Sequence, residues 1–182
     1  MKEIRIHGRG GQGAVTAAKM LASAAVLEQK HVASFPMYGF ERRGAPVQAF
    51  TRIDDKPIRE KTQVYTPDSM IVIDHTLLKL DTLFSGLKPG GIVIVNSKDM
   101  ETLLDKNIKI TGAVDATRIA LEEIGRDIPN TCLLGAFAAA TKWIKIDSII
   151  KSLSEYLSDD ILEKNIRSCE RGYKEVKVKI WQ

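Results

Sequence analysis

The hexapeptide Gly8-Arg9-Gly10-Gly11-Gln12-Gly13 places four glycines in six residues, after apolar alternation at Ile4 and Ile6 and ahead of an alanine-rich stretch from Ala14. Glycine is needed where backbone φ is positive or where the main chain must approach a ligand with no Cβ in the way. A helix beginning at Ala14 aims its first unpaired N–H groups, and the positive end of its dipole, into the space above such a turn. The chemistry this spacing predicts is phosphate binding; the plainer reading is a tight turn that only packs helix on strand. The spacing also matches G-x-G-x-x-G in the strand, turn, helix order that gives the pattern its force. A dinucleotide site, however, carries an acidic residue at the end of its second strand, about 20 residues past the glycines. The expected second strand, His31 to Phe35, leads into Pro36 and offers no carboxylate. Arg9 adds a cation inside the loop, which suits a phosphate and is foreign to the nicotinamide fingerprint.

A second candidate lies between Pro36 and Pro46, a segment punctuated by Gly39 and Gly44 and too aromatic and charged for a simple linker. Arg42 and Arg43, next to Gly44, present forked donors suited to phosphate or to a partner's carboxylates. Equally, they form a solvated charge run held by Glu41. Lys19 is either a phosphate partner or a solvated helix residue, the solvated reading being favoured. Asp74, His75 and Thr76 fall at the C-terminal end of a buried strand, Met70 to Ile73, where open α/β sheets place their ligands. The simpler role for Asp74 is N-cap of a helix over Leu77 to Phe84. No Ser-His-Asp order or zinc-ligand spacing stands out, and His7, His31 and His75 read as packing or surface histidines. Cys132 and Cys169 have neither C-x-x-C spacing nor a nearby histidine, so they read as buried thiols and no iron-sulfur cluster is expected on this chain.

The elements that must position these residues follow from periodicity. Ile4 and Ile6 give a first strand that delivers the glycine loop, and Ala14 to Glu28 a helix able to lie close on a sheet. Val47 to Ile53 reads as a strand, paired through the turn at Asp54-Asp55-Lys56-Pro57 with a short extended piece around Ile58. Ile92 to Val95 and Ile108 to Ile110 are further buried strands, with a short helical piece over Met100 to Leu104 between them. Asp115 to Gly125 reads as a helix stopped by its glycine, and the pattern is helical throughout from Asn130. There Gly135 to Ala140 is a small-residue stripe permitting close approach of another element, whether the protein's own sheet or a neighbouring subunit, Asp147 or Ser148 caps one helix, and Ser158 or Asp159 caps the last. Strands alternating with helices predict a three-layer α/β/α fold with a mostly parallel sheet made mixed by the hairpin.

Bulk properties narrow the function. The 182 residues suffice for one domain with a full core, and a single domain over 1–182 is expected. The net charge of +4 comes from 27 Lys and Arg spread among 23 Asp and Glu. That distribution argues against a nucleic-acid arm and leaves room for a local phosphate or acidic-partner site. Met1 to Arg5 lacks the apolar region of a signal peptide, and no apolar run approaches the roughly 20 residues of a spanning helix. The default expectation is a reducing cytoplasm, away from membranes.

Ile6-His7-Gly8-Arg9-Gly10-Gly11-Gln12-Gly13-Ala14-Val15, Phe35-Pro36 and Gly39-Phe40-Glu41-Arg42-Arg43-Gly44-Ala45-Pro46-Val47 together resemble the gamma subunits of the pyruvate:ferredoxin oxidoreductases. The likeness continues through Phe50 to Ile58 and returns in Gly135 to Thr141, in Glu163-Lys164-Asn165-Ile166 and in Arg171-Gly172-Tyr173. Glu41-Arg42-Arg43-Gly44 is similar to the pyruvate branch of this 2-oxoacid:ferredoxin oxidoreductase family, with the branched-chain 2-oxoacid enzymes as near relatives. The resemblance implies a complex of anaerobic metabolism that oxidises a 2-oxoacid with coenzyme A to acyl-CoA and CO2 and passes two electrons to ferredoxin. It implies alpha, beta and delta subunits as partners, with thiamine diphosphate and the iron-sulfur clusters on those partners. For this chain it leaves assembly and a share of the coenzyme A site, with no catalytic residue. Gly8 to Gly13 and Gly44 are then backbone contacts to phosphate, and Arg9, Arg42 and Arg43 neutralise its charge. Two other readings compete. A freestanding nicotinamide or flavin oxidoreductase needs a second-strand acid that is missing. In a purely structural subunit the arginine pair binds acidic residues of a neighbour.

Overall fold

The computed structural model describes residues 1–37, 44–100, 103 and 105–181. In chain order these form β1 (Lys2–Arg9), α1 (Ala14–Leu27), β2 (His31–Pro36), β3 (Pro46–Asp54), β4 (Ser69–Val72), a 3-10 helix (His75–Lys79), β5 (Gly91–Asn96), β6 (Ile108–Val114), α2 (Ala116–Glu123), α3 (Asn130–Thr141), α4 (Ile146–Leu153), α5 (Asp159–Glu175) and β7 (Lys177–Ile180). All seven strands share one sheet in the order β2-β3-β1-β4-β5-β6-β7. β1, β4, β5 and β6 run parallel through the centre. β3 lies antiparallel to β1, β2 antiparallel to β3, and β7 antiparallel to β6. The fold is the α/β architecture with a mixed sheet that the sequence predicts.

The continuous apolar runs become central strands because both of their faces are covered. Ile71 and Ile73 pack into the core beneath the helices, while Met70 and Val72 pack into the core of the opposite face, the period-two alternation of a pleat. The helical layer is deep. α1 seats Ala14, Ala17, Ala18, Ala24 and Ala25 against the sheet, which brings its axis close to β1 and β3. α3 and α5 touch backbone to backbone: a Cβ at Gly135 would collide with the carbonyl of Cys169, and one at Gly172 with that of Cys132. The small-residue stripe expected at Gly135 therefore finds its partner in α5. The opposite layer is thin, made by the 3-10 helix and turns that supply Leu77, Leu83 and Leu87, with Leu103.

Several elements differ from the sequence reading. The hairpin partner of β3 is β2, with His31 opposite Asp54 and Pro36 opposite Ala49, and no strand forms around Ile58. Residues 55–68 instead cross from β3 to β4, where Arg52 holds the carbonyls of Thr62 and Gln63 at 2.6 and 3.2 Å. The helix expected over Leu77 to Phe84 is a single 3-10 segment, His75–Lys79, followed by turns. α4 starts after an extended Lys145 and has no side-chain cap; Asp147 lies within its first turn and Ser148 is buried there. Helix does not run to the end, since β7 pairs Lys177 with Ala113 and Ile180 with Ile110. Its four residues alternate Lys, Val, Lys, Ile and are all exposed, so the strand sits directly after a long helical pattern and carries no burial signal. The piece expected over Met100 to Leu104 lies partly outside the described residues.

From β1 the chain leaves for α1 and the β2–β3 side, whereas from β4 it proceeds toward β5. The C-terminal ends of β1 and β4 therefore flank the point where the connections diverge, the position at which open α/β sheets form a crevice. The glycine loop follows β1 there, and Asp74 follows β4.

Candidate functional site

The register of β1 sets the loop. Gly8 lies opposite Val47 and Arg9 opposite Pro46 on one side; on the other, the Ile73 amide reaches the His7 carbonyl at 2.7 Å, drawing Asp74 alongside the turn. The Gln12 amide donates to the Arg9 carbonyl at 3.1 Å, with Gly11 at φ 98° in the third place. That is the left-handed position a type II turn reserves for glycine. Gly13 follows at φ 79° immediately before α1, and a Cβ on it would collide with the Asn130 side-chain amide. Both glycines are required by geometry, one by its dihedral and the other by dihedral and space.

Side chains then lock the turn from beneath. Gln12 accepts the Arg9 N–H at 2.8 Å through Oε1 and donates through Nε2 to Asp74 Oδ2 at 2.7 Å. Asp74 Oδ1 takes the amide and hydroxyl of Thr76 at 2.9 and 2.5 Å, which makes Asp74 the N-cap of the 3-10 helix, as the sequence suggests. The Arg9 guanidinium spans the crevice, donating to Thr76 Oγ1 at 3.2 and 2.8 Å and to the Gly44 carbonyl at 3.1 Å, with Nε 3.5 Å from Asp74 Oδ2. Burial alone would raise the Asp74 carboxyl. The hydrogen bonds from Thr76 and Gln12 and the Arg9 charge outweigh it and hold the group below the usual carboxylate range. Gly10 and Gly44 complete the contact: the Gly10 amide donates to the Ala45 carbonyl at 2.9 Å and the Gly44 amide to the Gly10 carbonyl at 3.2 Å.

Of the residues singled out in the sequence, Gly8 to Gly13 and Gly44 thus come together at one rim. Arg42 and Arg43 lie outside the described residues. Lys19 is exposed on α1 beside Glu155 and Tyr156, away from the loop. His7 is buried, and its Nε2 accepts from Arg5 Nε at 2.9 Å. Burial, and then the Arg5 charge, push its pKa down to about 3, so it is neutral and serves as an acceptor. Cys132 and Cys169 are free and buried, and burial pushes the Cys132 thiol up to about 12. Among the described residues no group of three or more His, Cys, Asp or Glu could hold a metal ion, and no helix is long and apolar enough to cross a membrane.

The loop also forms one wall of a cleft of about 430 Å³ that the sequence did not announce. Gly11, Gly13 and Thr16 face Asn130 and Arg126 across it, with Lys164 at its edge. Its floor is apolar, formed by residues such as Met20, Ile128 and Leu157. α1 and α3 both begin at this cleft and neither N-cap residue supplies a side-chain bond, so two helix N-termini direct partial positive charge there. Asn130 joins them, donating to the Gly13 carbonyl at 3.3 Å and accepting from the Thr131 amide at 2.9 Å. Lys164 is paired with Asp160 at 2.6 Å, whereas among the described residues Arg126 has no ion pair. Such a cleft suits an amphipathic anion. Arg126 and Asn130 were missed because only the fold brings them, 117 positions along the chain in the case of Asn130, to the loop; the one local signal was the polar residue at the start of a helical run.

The model of the pyruvate ferredoxin/flavodoxin oxidoreductase family matches residues 3–175. The chain belongs to this family. Among its relatives, a pyruvate/ketoisovalerate oxidoreductases common subunit gamma from Thermococcus kodakarensis is 55% identical over 177 residues, covering 95% of this chain and 96% of that one. A pyruvate synthase subunit PorC from Methanothermobacter marburgensis is 50% identical, covering 97% and 98%. The crystal structure of the pyruvate oxidoreductase subunit PORC from Thermotoga maritima superposes with a TM-score of 0.86 at 41% identity, covering 97% of each chain. The fold also occurs in a 2-oxoglutarate:ferredoxin oxidoreductase from Magnetococcus marinus, at 17% identity and a TM-score of 0.74 over 95% of this chain and 30% of that one. Within the pyruvate ferredoxin/flavodoxin oxidoreductases, the chain is a gamma-type subunit of a multisubunit enzyme.

Proposed function

We propose that this chain is the gamma subunit of a pyruvate:ferredoxin oxidoreductase and supplies the phosphate-binding part of its coenzyme A site. The complex converts pyruvate, coenzyme A and oxidised ferredoxin into acetyl-CoA, CO2 and reduced ferredoxin, two electrons leaving the substrate for ferredoxin. Alpha, beta and delta subunits carry the thiamine diphosphate and iron-sulfur chemistry. The observation that supports the coenzyme reading is the cleft between the glycine loop and α3. It joins two uncapped helix N-termini and Arg126, which has no ion pair among the described residues, to an apolar floor, a match for a ligand with phosphates at one end and a long neutral arm. In this reading the backbone of Gly8 to Gly13 and Gly44 approaches the phosphates. Arg42 and Arg43, adjacent in sequence to Gly44, supply direct charge, and Arg9, whose fork is already shared among Thr76, Gly44 and Asp74, contributes its field from behind the loop. The Magnetococcus marinus enzyme, in which this fold accounts for 30% of the matched chain, has coenzyme A bound.

A second reading concerns the 2-oxoacid. Relatives in Thermococcus and Pyrococcus are common subunits of pyruvate and ketoisovalerate enzymes. A subunit shared by two enzymes cannot carry the contact that discriminates their substrates, so 2-oxoacid choice rests with the partners and this chain serves either enzyme. Calorimetry of coenzyme A with the purified complex, with NAD as control, tests the main proposal. Binding that weakens on Arg126→Glu or on the Arg42→Ala, Arg43→Ala pair supports it. A complex that dissociates on the arginine pair, while the surviving fraction binds coenzyme A unchanged, marks a purely structural subunit. Tight NAD binding overturns the proposal.

A further inference from the structure

We propose that Asp74 is a positioning residue: through Gln12 and Arg9 it sets the glycine loop in the one conformation that offers its remaining amides to an anion. The inference rests on the coenzyme A reading above. Its basis is the closed ring of hydrogen bonds beneath the loop. Gln12 bridges the Arg9 N–H and Asp74 Oδ2, at 2.8 and 2.7 Å. Rotating its amide by half a turn would set its NH2 against the Arg9 N–H and its carbonyl against the carboxylate. The charge on Asp74 therefore fixes which way Gln12 points. That orientation commits the Arg9 amide to the scaffold, and the Gly10 and Gln12 amides are held there by the carbonyls of Ala45 and Arg9; the others, those of Gly11 and Gly13 among them, are the ones a ligand takes. The same carboxylate faces Arg9 at 3.5 Å while Arg9 holds the Gly44 carbonyl, so one anion ties the end of β4, the glycine loop and the returning segment at Gly44 together. Asp74 is 9% exposed, and its two oxygens already have the partners named above. Three hydrogen bonds and the Arg9 charge already occupy this nearly buried carboxylate, which favours positioning over direct contact with a substrate.

The ring supplies its own test, because its polarity can be reversed. Asp74→Asn turns an NH2 toward the Gln12 NH2, and Gln12→Glu turns a carboxylate toward Asp74, so each single change breaks the ring. In the double variant the introduced amide donates to the introduced carboxylate, which still accepts the Arg9 N–H. All three variants are assembled into the complex and read in two ways: KM for coenzyme A against KM for pyruvate, and hydrogen exchange at the amides of residues 9–13. Each single change is expected to raise KM for coenzyme A about tenfold, the value of one hydrogen bond to a charged group, with KM for pyruvate unmoved and loop exchange accelerated. The double variant should recover both readouts. Single variants with unchanged KM and unchanged exchange overturn the inference. Faster loop exchange with an unchanged KM for coenzyme A shows the ring to be structural only, and the fault then lies in the coenzyme A reading. A double variant no better than the singles overturns the assigned polarity of Gln12.

Discussion

Strand β1 carries two arginines four residues apart, and a strand presents such residues on one face, yet the fold uses Arg5 and Arg9 in opposite ways. Arg5 is 8% exposed and meets no carboxylate among the described residues. It donates to the carbonyls of Leu83 and Ser85 at 3.2 and 2.6 Å and to His7 Nε2 at 2.9 Å, with the Met70 sulfur at 3.8 Å. Burial lowers its pKa from the ordinary guanidinium value. Arg9 is 34% exposed, has the Asp74 carboxylate at 3.5 Å and shares its fork with Thr76 and Gly44. The first cation is a plug that ties β1 to the turns of the thin layer, where no long helix among the described residues covers the sheet. The second stands at the edge of water, where an incoming anion can share its field. Position along one strand, from its buried middle to its C-terminal end, separates a structural cation from one an anion can reach.

The largest expected effect follows from removing the plug. Arg5→Ala leaves the buried Leu83 carbonyl, the half-buried Ser85 carbonyl and the buried His7 without their donor, and unsatisfied buried groups are costly. A loss of about 3 kcal/mol in urea denaturation is expected, against no more than about 1 kcal/mol for Arg9→Ala, whose contacts are partly solvated. Equal losses for the two variants would erase the contrast.

Acid provides the next test, through the histidine that Arg5 holds. The His7 pKa is about 3 in the folded chain against 6.5 for a free histidine. Between these values the unfolded state binds a proton that the native state refuses, so stability rises with pH and is lost as pH falls from 6.5 toward 3. The slope is about 1.4 kcal/mol per pH unit for one such group. His7→Gln keeps an acceptor for Arg5 Nε and removes the titration. It should flatten the stability profile over that window while costing little at pH 8, as chemical denaturation at several pH values would show. Asp74, held below the usual carboxylate range, adds an acid loss of the same sign but only as pH falls through its own lower pKa, so the window nearest neutrality belongs to His7.

The contrast between the arginines explains what the sequence could and could not disclose. The loop was legible because its signals are local: glycines at fixed spacing, alternation before them and small residues after. Asp74 was legible as a cap for the same reason, since Thr76 lies two residues away. The partnership of Asp74 with Gln12 was not, because it spans 62 positions and depends on β4 lying beside β1. Asn130 and Arg126 reach the cleft only when α3 starts opposite α1. The hairpin was assigned to the wrong neighbour because the turn residues Asp54-Asp55-Lys56-Pro57 follow β3 directly, whereas pairing is decided by register along the whole of β3. β7 escaped because its Lys-Val-Lys-Ile alternation is only four residues long, buries nothing and directly follows a long helical pattern. The family resemblance rested on combined motifs spread along the chain, so it survived these local errors.

Catalytic parameters refine the comparison at the loop. Arg9→Ala should raise KM for coenzyme A about fivefold, a modest loss because the guanidinium acts through its field and through Gly44 rather than by a bidentate grip. Steady-state kinetics on the assembled complex, with pyruvate saturating, would measure it. Lys19→Ala is the matching control and the smallest expected effect, a change in KM of less than about twofold. Lys19 carries the same charge and sits in the first half of α1, close in sequence to the glycines, but its side chain is exposed beside Glu155 and Tyr156, where salt at physiological strength screens it over about 8 Å. If the two variants raise KM equally, the loop binds through general positive potential and its geometry is incidental. If only Arg9→Ala does, and the difference persists as salt is raised, the ordered rim of Arg9, Gln12 and Asp74 is what the ligand recognises.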